Sequence, residues 1–227
     1  MKVTVIIPVF NEEGTLRKLL NQVIATKIPN EIIVVDDGST DSTPSIIRSF
    51  QHTQAIKPIS LPKNQGKGNA IHQGLKIAAG DVVIIQDGDL EYSPSLYPTL
   101  LKPIKDDIAD VVYGSRFLGA ARRPILYWNM VANKILTFVT NILYNNILSD
   151  METGFKVFRR DLIKDIPLRA KRFDFEPEFT AKILKRKFRI FEVPIPFNPR
   201  DYSEGKKIKA WDAFIALWTL IKYRFVD

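Results

Sequence analysis

The strongest candidate for chemistry in this sequence is an acidic turn, Asp87-Gly88-Asp89, with Glu91 two residues further on. Carboxylates this close repel one another and raise one another's pKa unless a cation neutralises them. Hard divalent ions such as Mg²⁺ and Mn²⁺ prefer oxygen ligands and commonly bridge to the phosphates of a substrate. In an extended segment, residues 87, 89 and 91 face the same side. The pattern therefore predicts Asp87, Asp89 and Glu91 as ligands of one Mg²⁺ or Mn²⁺ ion, with a purely structural acidic turn as the alternative.

Two further polar segments follow apolar runs: Asp36-Asp37-Gly38-Ser39 and Asn64-Gln65-Gly66-Lys67-Gly68. Acids at the carboxyl end of a strand suit the ribose or base of a nucleotide, and Lys67 with its neighbouring amides suits a phosphate. Side chains between positions 39 and 42 could instead cap the next helix. The glycine spacing excludes a P-loop, and no G-x-G-x-x-G follows the first strand, which disfavours a dinucleotide-dependent dehydrogenase.

A scaffold must bring these segments together, and the alternation of short apolar runs with helical patterns predicts one. Strands are predicted at Val3–Val9, Glu31–Asp36, Ala55–Leu61, Asp81–Gln86 and Asp110–Tyr113, and helices at Glu12–Thr26, Ser42–Phe50, Gly68–Ala79 and Pro94–Ile104. Near-continuous apolar strands separated by helices predict an α/β fold with a mostly parallel sheet covered on both faces. Ligands of such folds gather at the carboxyl ends of the strands, which is where the polar segments lie.

The second half of the chain changes in character. A long apolar helical pattern at Arg123–Leu148 carries a polar residue at every fourth position from Asn129 to Asn145, which predicts a polar stripe on an apolar surface. A strand at Phe155–Phe158, a helix at Pro177–Lys187, an extended Phe188–Pro196 and an amphipathic helix at Ile208–Phe225 follow. The last helix places two tryptophans on its apolar face. No run of about 20 apolar residues occurs, so we expect no membrane span.

The composition is that of an ordinary globular protein, with 45% hydrophobic and 26% charged residues and no cysteine. The lack of cysteine excludes disulfides and thiolate zinc sites and fits the cytoplasm. Residues 1–155 carry 15 Lys+Arg and 15 Asp+Glu, whereas residues 156–227 carry 18 and 10, which accounts for the net charge of +8. This asymmetry predicts a catalytic body with a surface for an anionic partner, or simply a solvated basic face. No nucleic-acid-binding module is recognised.

Eight short motifs follow one another along nearly the whole chain: Pro-Val-Phe-Asn-Glu-Glu (8–13), Val-Val-Asp-Asp-Gly-Ser (34–39), Asn-Gln-Gly-Lys-Gly-Asn-Ala (64–70), Gln-Asp-Gly-Asp-Leu-Glu-Tyr (86–92), Gly-Ser-Arg-Phe (114–117), Asp-Met-Glu-Thr-Gly-Phe-Lys-Val-Phe (150–158), Phe-Glu-Pro-Glu (175–178) and Glu-Val-Pro-Ile (192–195). Together they resemble the family 2 glycosyltransferases of the GT-A fold, and among them the polyprenyl-phosphate (dolichol-phosphate) mannose and glucose synthases. The resemblance implies a single GT-A domain, in which residues 1–115 bind the nucleotide sugar and residues 116–227 face the acceptor and the membrane.

The resemblance also implies roles for individual residues. The donor would be bound by Pro8, Phe10, Glu12, Asp37, Asp87 and Gly88, with Asp89 and Glu91 holding the divalent metal and Arg200, Ser203 and Lys206 in a loop that closes over the donor. Arg116 would bind the acceptor phosphate, and Arg122 and Arg123 are the candidates for a second phosphate-binding arginine. Two positions depart from the family pattern, because Gly88 stands where alanine is usual and Glu91 where some members have glutamine.

By this resemblance, the reaction would be an inverting, metal-dependent transfer of a hexose from GDP-mannose or a UDP-sugar. A phosphate monoester has its second pKa at about 6, so a polyprenyl-phosphate acceptor is already ionised and needs positioning by Arg116 rather than a strong base. A sugar hydroxyl acceptor would need a base, for which Asp150 and Glu178 are the candidates. Glu178 equally fits a favourable charge in the first turn of a helix.

The two amphipathic helices fit an attachment to the cytoplasmic face of a membrane that presents the lipid acceptor. Their apolar faces could equally be buried in the core or in a homodimer interface. A sugar-nucleotide pyrophosphorylase is a remoter alternative. That class needs a glycine- and arginine-rich loop after the first strand, and Pro8–Glu12 has no such composition.

Overall fold

The computed structural model describes residues 1–53, 55–120, 126–199 and 210–226. Within these ranges seven strands and seven α-helices follow one another as β1 (Val3–Val9), α1 (Leu16–Ala25), β2 (Glu31–Asp36), α2 (Thr43–Ser49), β3 (Ile56–Ser60), α3 (Lys67–Ile77), β4 (Val82–Ile85), α4 (Tyr97–Lys105), β5 (Val111–Ser115), α5 (Tyr127–Tyr144), β6 (Lys156–Arg159), α6 (Phe175–Lys185), β7 (Ile190–Pro194) and α7 (Ala210–Phe225). Every one of these elements overlaps a predicted one, and β1 and β2 have the predicted bounds.

The seven strands form one mixed sheet in the order β3-β2-β1-β4-β6-β5-β7. Neighbouring strands are parallel except for β6, which runs antiparallel to both β4 and β5. From β1 the sheet grows to β2 and β3 on one side and to β4 on the other, so the topological switch point lies between β1 and β4. In sheets of this kind ligands bind at that point, outside the carboxyl ends of the strands. The predicted, mostly parallel α/β sheet is confirmed.

Helices cover both faces of this sheet, which is why the central strands are apolar along their whole length. On one face α1, α2 and α4 enclose a hydrophobic core with the β1 side chains of Val5 and Ile7. On the other face α3, α5, α6 and α7 enclose a second core that contains Ile6. Because successive strand residues point to opposite faces, β1 contributes to both cores.

The helices α5 and α7 form the outer layer of the second face, and each turns apolar side chains to the outside. The exposed residues, which we call the α5–α7 face, are Tyr127, Trp128, Ile135, Phe138, Ile142, Trp211, Phe214, Ile215, Trp218, Ile221 and Phe225. The side of α7 that packs against the rest of the protein carries Ala216, Leu220 and Tyr223, which are buried. The alternative in which the tryptophan-bearing stripe of the last helix is buried in the core is therefore wrong.

Two members of the polar stripe, Thr137 and Asn141, lie on the inner side of α5 and bind the chain segment that follows the helix. Thr137 Oγ1 accepts a hydrogen bond from the Met151 amide at 3.1 Å, and Asn141 Oδ1 accepts one from the Leu148 amide at 2.8 Å. Asn141 Nδ2 also donates to the Leu148 carbonyl oxygen at 2.9 Å. None of the helices in the described ranges has both the length and the hydropathy to span a bilayer.

Candidate active site

The carboxyl ends of β1 and β4 meet at the switch point. The Thr15 hydroxyl lies 2.8 Å from the Gly88 carbonyl oxygen and 2.9 Å from the Glu12 carboxylate. A Cβ atom on Gly88 would stand 2.9 Å from Cγ1 of Val9, so glycine lets the two strand ends approach this closely without displacement. Among the residues expected at the donor pocket, Glu12 and Gly88 are therefore neighbours, and Pro8 and Phe10 precede them at the end of β1.

The acidic segment after β4 is a turn and not the extended strand that the sequence argument assumed. The Asp89 Oδ1 atom accepts a hydrogen bond from the Glu91 amide at 3.1 Å, and Leu90 between them has a left-handed φ of 63°. The turn removes the alternation that would have aligned residues 87, 89 and 91 on one side. Consistent with this, no group of three or more histidine and acidic side chains in the described part of the chain is placed to hold a metal ion.

Asp87 is held by an ion pair that the sequence did not predict. The Lys67 ammonium lies 2.6 Å from Asp87 Oδ1 and 2.8 Å from Glu176 Oε1 on α6, and we call these three residues the Lys67 cluster. Burial alone would lower the pKa of Lys67, but the two carboxylates outweigh burial and raise it above its ordinary value. Lys67 thus stays charged. Glu176 was missed, although it lies in the Phe-Glu-Pro-Glu motif.

The loop before α3 does not present its backbone amides to a ligand, as the sequence interpretation had it. The amides of Gly68 and Asn69 donate to the carbonyl oxygens of residues 172 and 171 at 3.2 and 2.9 Å. The preceding amides of Gln65 and Gly66 donate to the carboxylate of Asp37 at 2.9 and 2.7 Å. The amides of Gln65 and Gly66 thus fasten the loop to Asp37, and those of Gly68 and Asn69 fasten the start of α3 to residues 171–172, which precede α6. Lys67 is the group that this segment contributes to the site.

Asp37 is buried and ties the end of β2 to this loop through both of its carboxylate oxygens. Burial raises the pKa of Asp37 above its ordinary value, although the two amides act in the opposite direction. The neighbouring loops are also joined, because the Asn11 amide donates to Ser39 Oγ at 2.9 Å and the Thr40 amide donates to Asn11 Oδ1 at 2.8 Å. These hydrogen bonds therefore hold together the loops at the carboxyl ends of β1 and β2, where Asp37 is predicted to bind the nucleotide.

On the other side of the edge, Arg116 follows β5 and is fixed by Asp150. Its Nε and Nη2 atoms donate to the two Asp150 carboxylate oxygens, each at 2.7 Å, and its backbone amide donates to Asp150 Oδ2 at 2.9 Å. Such a bidentate pair fixes the plane of the guanidinium. The Asp150 side chain is fully buried, while 11% of the Arg116 side chain is exposed. Asp150 therefore anchors Arg116, and its prediction as a general base for a hydroxyl acceptor stays a prediction.

Glu178, the other candidate base, lies in a separate buried network. Its carboxylate accepts hydrogen bonds from the amides of Arg169 and Ala170 at 2.9 and 2.6 Å and from Lys182 Nζ at 2.7 Å. Burial would raise the pKa of Glu178, but these hydrogen bonds outweigh burial and lower it. A carboxylate this well satisfied is a weak base. Glu178 lies in the first turn of α6, as predicted, and in addition fastens residues 169–170 to this helix.

One short segment, residues 150–155, connects the two sides of the edge. A Cβ atom on Gly154 would stand 2.1 Å from Asp87 Oδ2, so the glycine lets the main chain pack directly on the Lys67 cluster. Phe197 makes a second connection, because its ring centroid lies 5.2 Å from the Arg116 guanidinium carbon and 5.5 Å from the Tyr92 ring centroid. Arg116 is thus adjacent to the residues that follow the acidic turn.

Within the same segment, Glu152 is a second residue that the sequence analysis missed. Burial, and then the nearby Glu176 carboxylate, raises the pKa of Glu152 above its ordinary value. Burial lowers the pKa of the neighbouring Lys156, whose ammonium donates to the carbonyl oxygens of Met151 and Thr153 at 2.9 and 2.5 Å. The pKa of one carboxyl group beside the Lys67 cluster is therefore raised.

The donor set of the acidic turn suits a hard divalent ion that is completed by its substrate. Mg²⁺ is usually held by one or two carboxylates together with substrate phosphates, and a turn with the carboxylates of Asp89 and Glu91 offers that number. The ion pair with Lys67 opposes the use of Asp87 as a direct ligand. Asp89 and Glu91 are therefore the two carboxylates of the predicted metal site that would hold such an ion.

Four predicted residues, Arg122, Arg123, Arg200 and Lys206, lie outside the described residues, as does Ser203. The described chain leads to both of these segments from the site: Arg116 precedes the first, and Phe197 precedes the second.

Residues 4–167 match the family model described as glycosyl transferase family 2. The chain is 30% identical over 212 residues to a dolichol-phosphate mannosyltransferase of Pyrococcus furiosus, which covers 91% of this chain and 59% of that protein. It is 27% identical over 215 residues to a dodecaprenyl-phosphate galacturonate synthase of Rhizobium johnstonii, which covers 91% of this chain and 62% of that protein. The chain thus spans about three fifths of the length of these two relatives.

The fold is similar to that of glucosyl-3-phosphoglycerate synthase from Mycobacterium tuberculosis, solved with Mn²⁺, uridine diphosphate and phosphoglyceric acid. The TM-score is 0.77 at 21% identity, and the match covers 100% of this chain and 79% of that one. This likeness confirms the GT-A fold. The family model covers well over half of the chain, and the strand ends carry the motifs of that family. The chain therefore belongs to glycosyl transferase family 2.

Proposed function

We propose that this glycosyltransferase moves a hexose, with inversion, from a nucleotide-diphosphate sugar to a polyprenyl phosphate. The donor is GDP-mannose or a UDP-hexose such as UDP-glucose or UDP-N-acetylglucosamine. Residues 1–115 provide most of the donor site and residues 116–227 the acceptor site. Two relatives at 30% and 27% identity are named for dolichol-phosphate and dodecaprenyl-phosphate chemistry, which supports a lipid-phosphate acceptor.

The observation that carries this proposal is that both carboxylates predicted as general bases are engaged by cations. Both predicted general bases are bound in ion pairs, Asp150 with Arg116 and Glu178 with Lys182. A hydroxyl acceptor needs a base, whereas a phosphate acceptor is ionised already and needs a cation that orients it. The fixed guanidinium of Arg116, which Phe197 connects to Tyr92 just after the acidic turn, is such a cation.

In this mechanism the chain itself binds and orients the two substrates. Glu12, Asp37, Pro8 and Phe10 bind the nucleotide, and the Lys67 cluster holds Asp87 toward the donor. Arg116 places the acceptor phosphate for in-line attack on the anomeric carbon, which inverts it. Asp89 and Glu91 would hold a Mg²⁺ or Mn²⁺ ion, which would act as a Lewis acid and neutralise charge on the departing nucleoside diphosphate.

A sugar hydroxyl acceptor is the second candidate, and Glu152 is the residue that favours it. Its raised pKa brings the carboxyl group closer to the range in which a general base is most effective. The variant Glu152→Gln separates the two functions. With a hydroxyl acceptor, kcat should fall by about 10²- to 10⁴-fold, whereas a phosphate acceptor needs no proton removed and should be transferred at a rate within a few-fold of the original.

The direct test is a product analysis with matched acceptors. The protein is incubated with each donor, Mn²⁺ and either farnesyl phosphate, dolichyl phosphate or the corresponding alcohols, and the lipid products are identified by mass spectrometry. We expect a hexosyl-phosphate lipid from the phosphates, no product from the alcohols, and none with a chelator or with Asp89→Asn. Products from the alcohols alone would contradict the phosphate acceptor. Release of pyrophosphate from a nucleoside triphosphate would instead indicate a pyrophosphorylase.

The α5–α7 face is the part of the molecule that we assign to the membrane. Trp211, Phe214 and Trp218 are 69%, 64% and 65% exposed on α7, and the exposed cations Lys222 and Arg224 lie on the same helix. Exposed aromatic area next to basic side chains is typical of helices that lie in the interface of an anionic bilayer. The face thus supports peripheral attachment at the cytoplasmic side of a membrane, where the lipid acceptor is found.

Sedimentation with vesicles tests this assignment. Wild-type protein should partition to vesicles that contain phosphatidylglycerol, more weakly at high salt. The triple variant Trp211→Ser, Phe214→Ser, Trp218→Ser should lose at least about tenfold in partition because it removes large aromatic contact areas. Its melting temperature should be unchanged, since these side chains are exposed. A wild-type dimer that the triple variant turns into a monomer, without vesicle binding, would show that the face is a homodimer interface.

A further inference from the structure

Behind Arg116 stands a second acidic residue, Glu192 on β7, which has no part in the roles assigned above. In the sheet it lies opposite Tyr113 of β5, two residues before the end of that strand. Its Oε2 atom accepts a hydrogen bond from the Ser149 amide at 2.8 Å. Its Oε1 atom accepts one from the Ser149 hydroxyl at 2.9 Å and one from the Asp150 amide at 3.1 Å. Glu192 thereby holds the turn at residues 149 and 150.

The held turn carries the anchor of Arg116. Asp150 receives three hydrogen bonds from Arg116, two from its guanidinium and one from its amide. Ser115, which precedes Arg116, also meets the turn, because its hydroxyl lies 2.6 Å from the Ser149 hydroxyl. A continuous set of short polar contacts therefore runs from Glu192 through the turn to the guanidinium.

A carboxylate suits this position better than any other side chain of similar size. It presents only acceptors, and all three groups that face it from the turn are donors. Burial raises the pKa of Glu192, while the hydrogen bonds from Ser149 and Asp150 lower it and the charge of Asp150 raises it. Glutamine in its place would turn its NH₂ group toward one of those donors, and a buried N–H would lose its partner.

We propose that Glu192 is a positioning residue for the acceptor phosphate, because through Ser149 and Asp150 it fixes the orientation of the Arg116 guanidinium. The inference rests on the proposed function, in which Arg116 binds that phosphate. It assigns to Glu192 an effect on acceptor recognition that is separate from donor binding.

The test compares Glu192→Gln with Glu31→Gln, using farnesyl phosphate as the acceptor. Glu31 is a matched control, since it is also a strand glutamate with three donors: Thr4 Oγ1 at 2.6 Å, Lys57 Nζ at 2.5 Å and the Ala79 amide at 3.0 Å. It lies on β2, and four strands separate it from β7 in the sheet. In Glu192→Gln the acceptor KM should rise between about fivefold and a hundredfold, as expected when a buried donor loses its partner. The donor KM should stay within about twofold, and Glu31→Gln should change neither KM.

A double-mutant cycle separates positioning from a general structural role. Acceptor KM is measured for Arg116→Lys, Glu192→Gln and the double variant. If Glu192 acts through Arg116, the double variant should have nearly the acceptor KM of Arg116→Lys alone. Effects that multiply would overturn the proposal, because they would mean that the two residues act independently.

Two further outcomes are decisive. If Glu192→Gln does not fold, Ser149→Ala replaces it, and the loss of one hydroxyl contact should raise the acceptor KM about threefold; an unchanged KM would overturn the inference. If the wild type transfers hexose to farnesyl phosphate and Glu192→Gln has the same acceptor KM, only the inference fails. If the wild type transfers hexose to neither farnesyl nor dolichyl phosphate, the proposed function fails and the inference fails with it.

Discussion

Glu176 and Glu178 stand two residues apart on α6 and are both buried, yet they serve different regions of the molecule. Glu176 faces the strand ends and pairs with Lys67, which also holds Asp87. Glu178 faces the 169–170 loop and Lys182, away from the acidic turn. The comparison teaches that burial of an ion pair does not by itself show whether the pair serves the site or the stability of the fold. Its role follows from what the partner cation does next: Lys67 reaches the acidic turn, whereas Lys182 reaches a loop carbonyl and the Tyr223 ring.

The largest effect should come from Glu178→Ala. It leaves the fully buried ammonium of Lys182 without its carboxylate, and breaking a buried pair in this way typically costs about 3–5 kcal/mol of unfolding free energy. Urea denaturation followed by circular dichroism measures the loss. In Glu176→Ala, Lys67 keeps Asp87 as a partner, so its loss should be clearly smaller. Equal losses in the two variants would contradict the division between a structural and a functional pair.

A smaller effect, on activity instead of stability, is expected for Glu176→Gln. The amide weakens the hold on Lys67 and so displaces Asp87, and a displacement of about 1 Å at a catalytic group can cost up to about 10²-fold in rate. We expect kcat/KM for the donor to fall by about tenfold to a hundredfold while the melting temperature changes little. Glu178→Gln is the matched control and should keep kcat/KM. Loss of activity in Glu178→Gln alone would contradict this assignment, because it would mean that Glu178 and not Glu176 serves the site.

The smallest effect is a pH dependence. The pKa of Glu178 is lowered below its ordinary value of 4.5 in the folded protein, so the unfolded chain binds this proton more readily. The stability it contributes is fully present above pH 4.5 and is lost as the pH falls through the folded pKa. Unfolding free energies measured between pH 6 and pH 3 should therefore fall more steeply for the wild type than for Glu178→Gln. Parallel curves would mean that Glu178 has the same pKa in both states.

The sequence predicted the elements well, because the pattern of buried and exposed positions follows from local spacing. The strand bounds of β1 and β2 were correct, and the convergence of Glu12 and Gly88 at one edge follows from parallel strands alone. The start of α1 was placed four residues too early. Residues 12–15 form a turn instead, in which the Glu12 amide donates to Thr43 Oγ1 at 2.9 Å, and such a long-range contact leaves no local signal.

The partners of charged side chains could not be predicted for the same reason. Lys67 and Glu176 are more than a hundred residues apart in the chain, and nothing near either of them specifies the pair. Asp150 was predicted as a candidate base from its residue type, and nothing near it in the sequence specifies its ion pair with Arg116. On α7 the periodicity identified the apolar stripe correctly, but spacing cannot tell whether such a stripe faces a core or the outside.

The inward polar stripe of α5 joins two parts of the protein that are otherwise apart. The same helix that shows Phe138 and Ile142 to the surroundings binds the Met151 and Leu148 amides on its inner side. These two amides flank Asp150, the anchor of Arg116. We therefore expect a tilt or rotation of α5 to shift Asp150 and, with it, the Arg116 guanidinium. A partner bound to the outer side of this helix would then change the orientation of the proposed acceptor site.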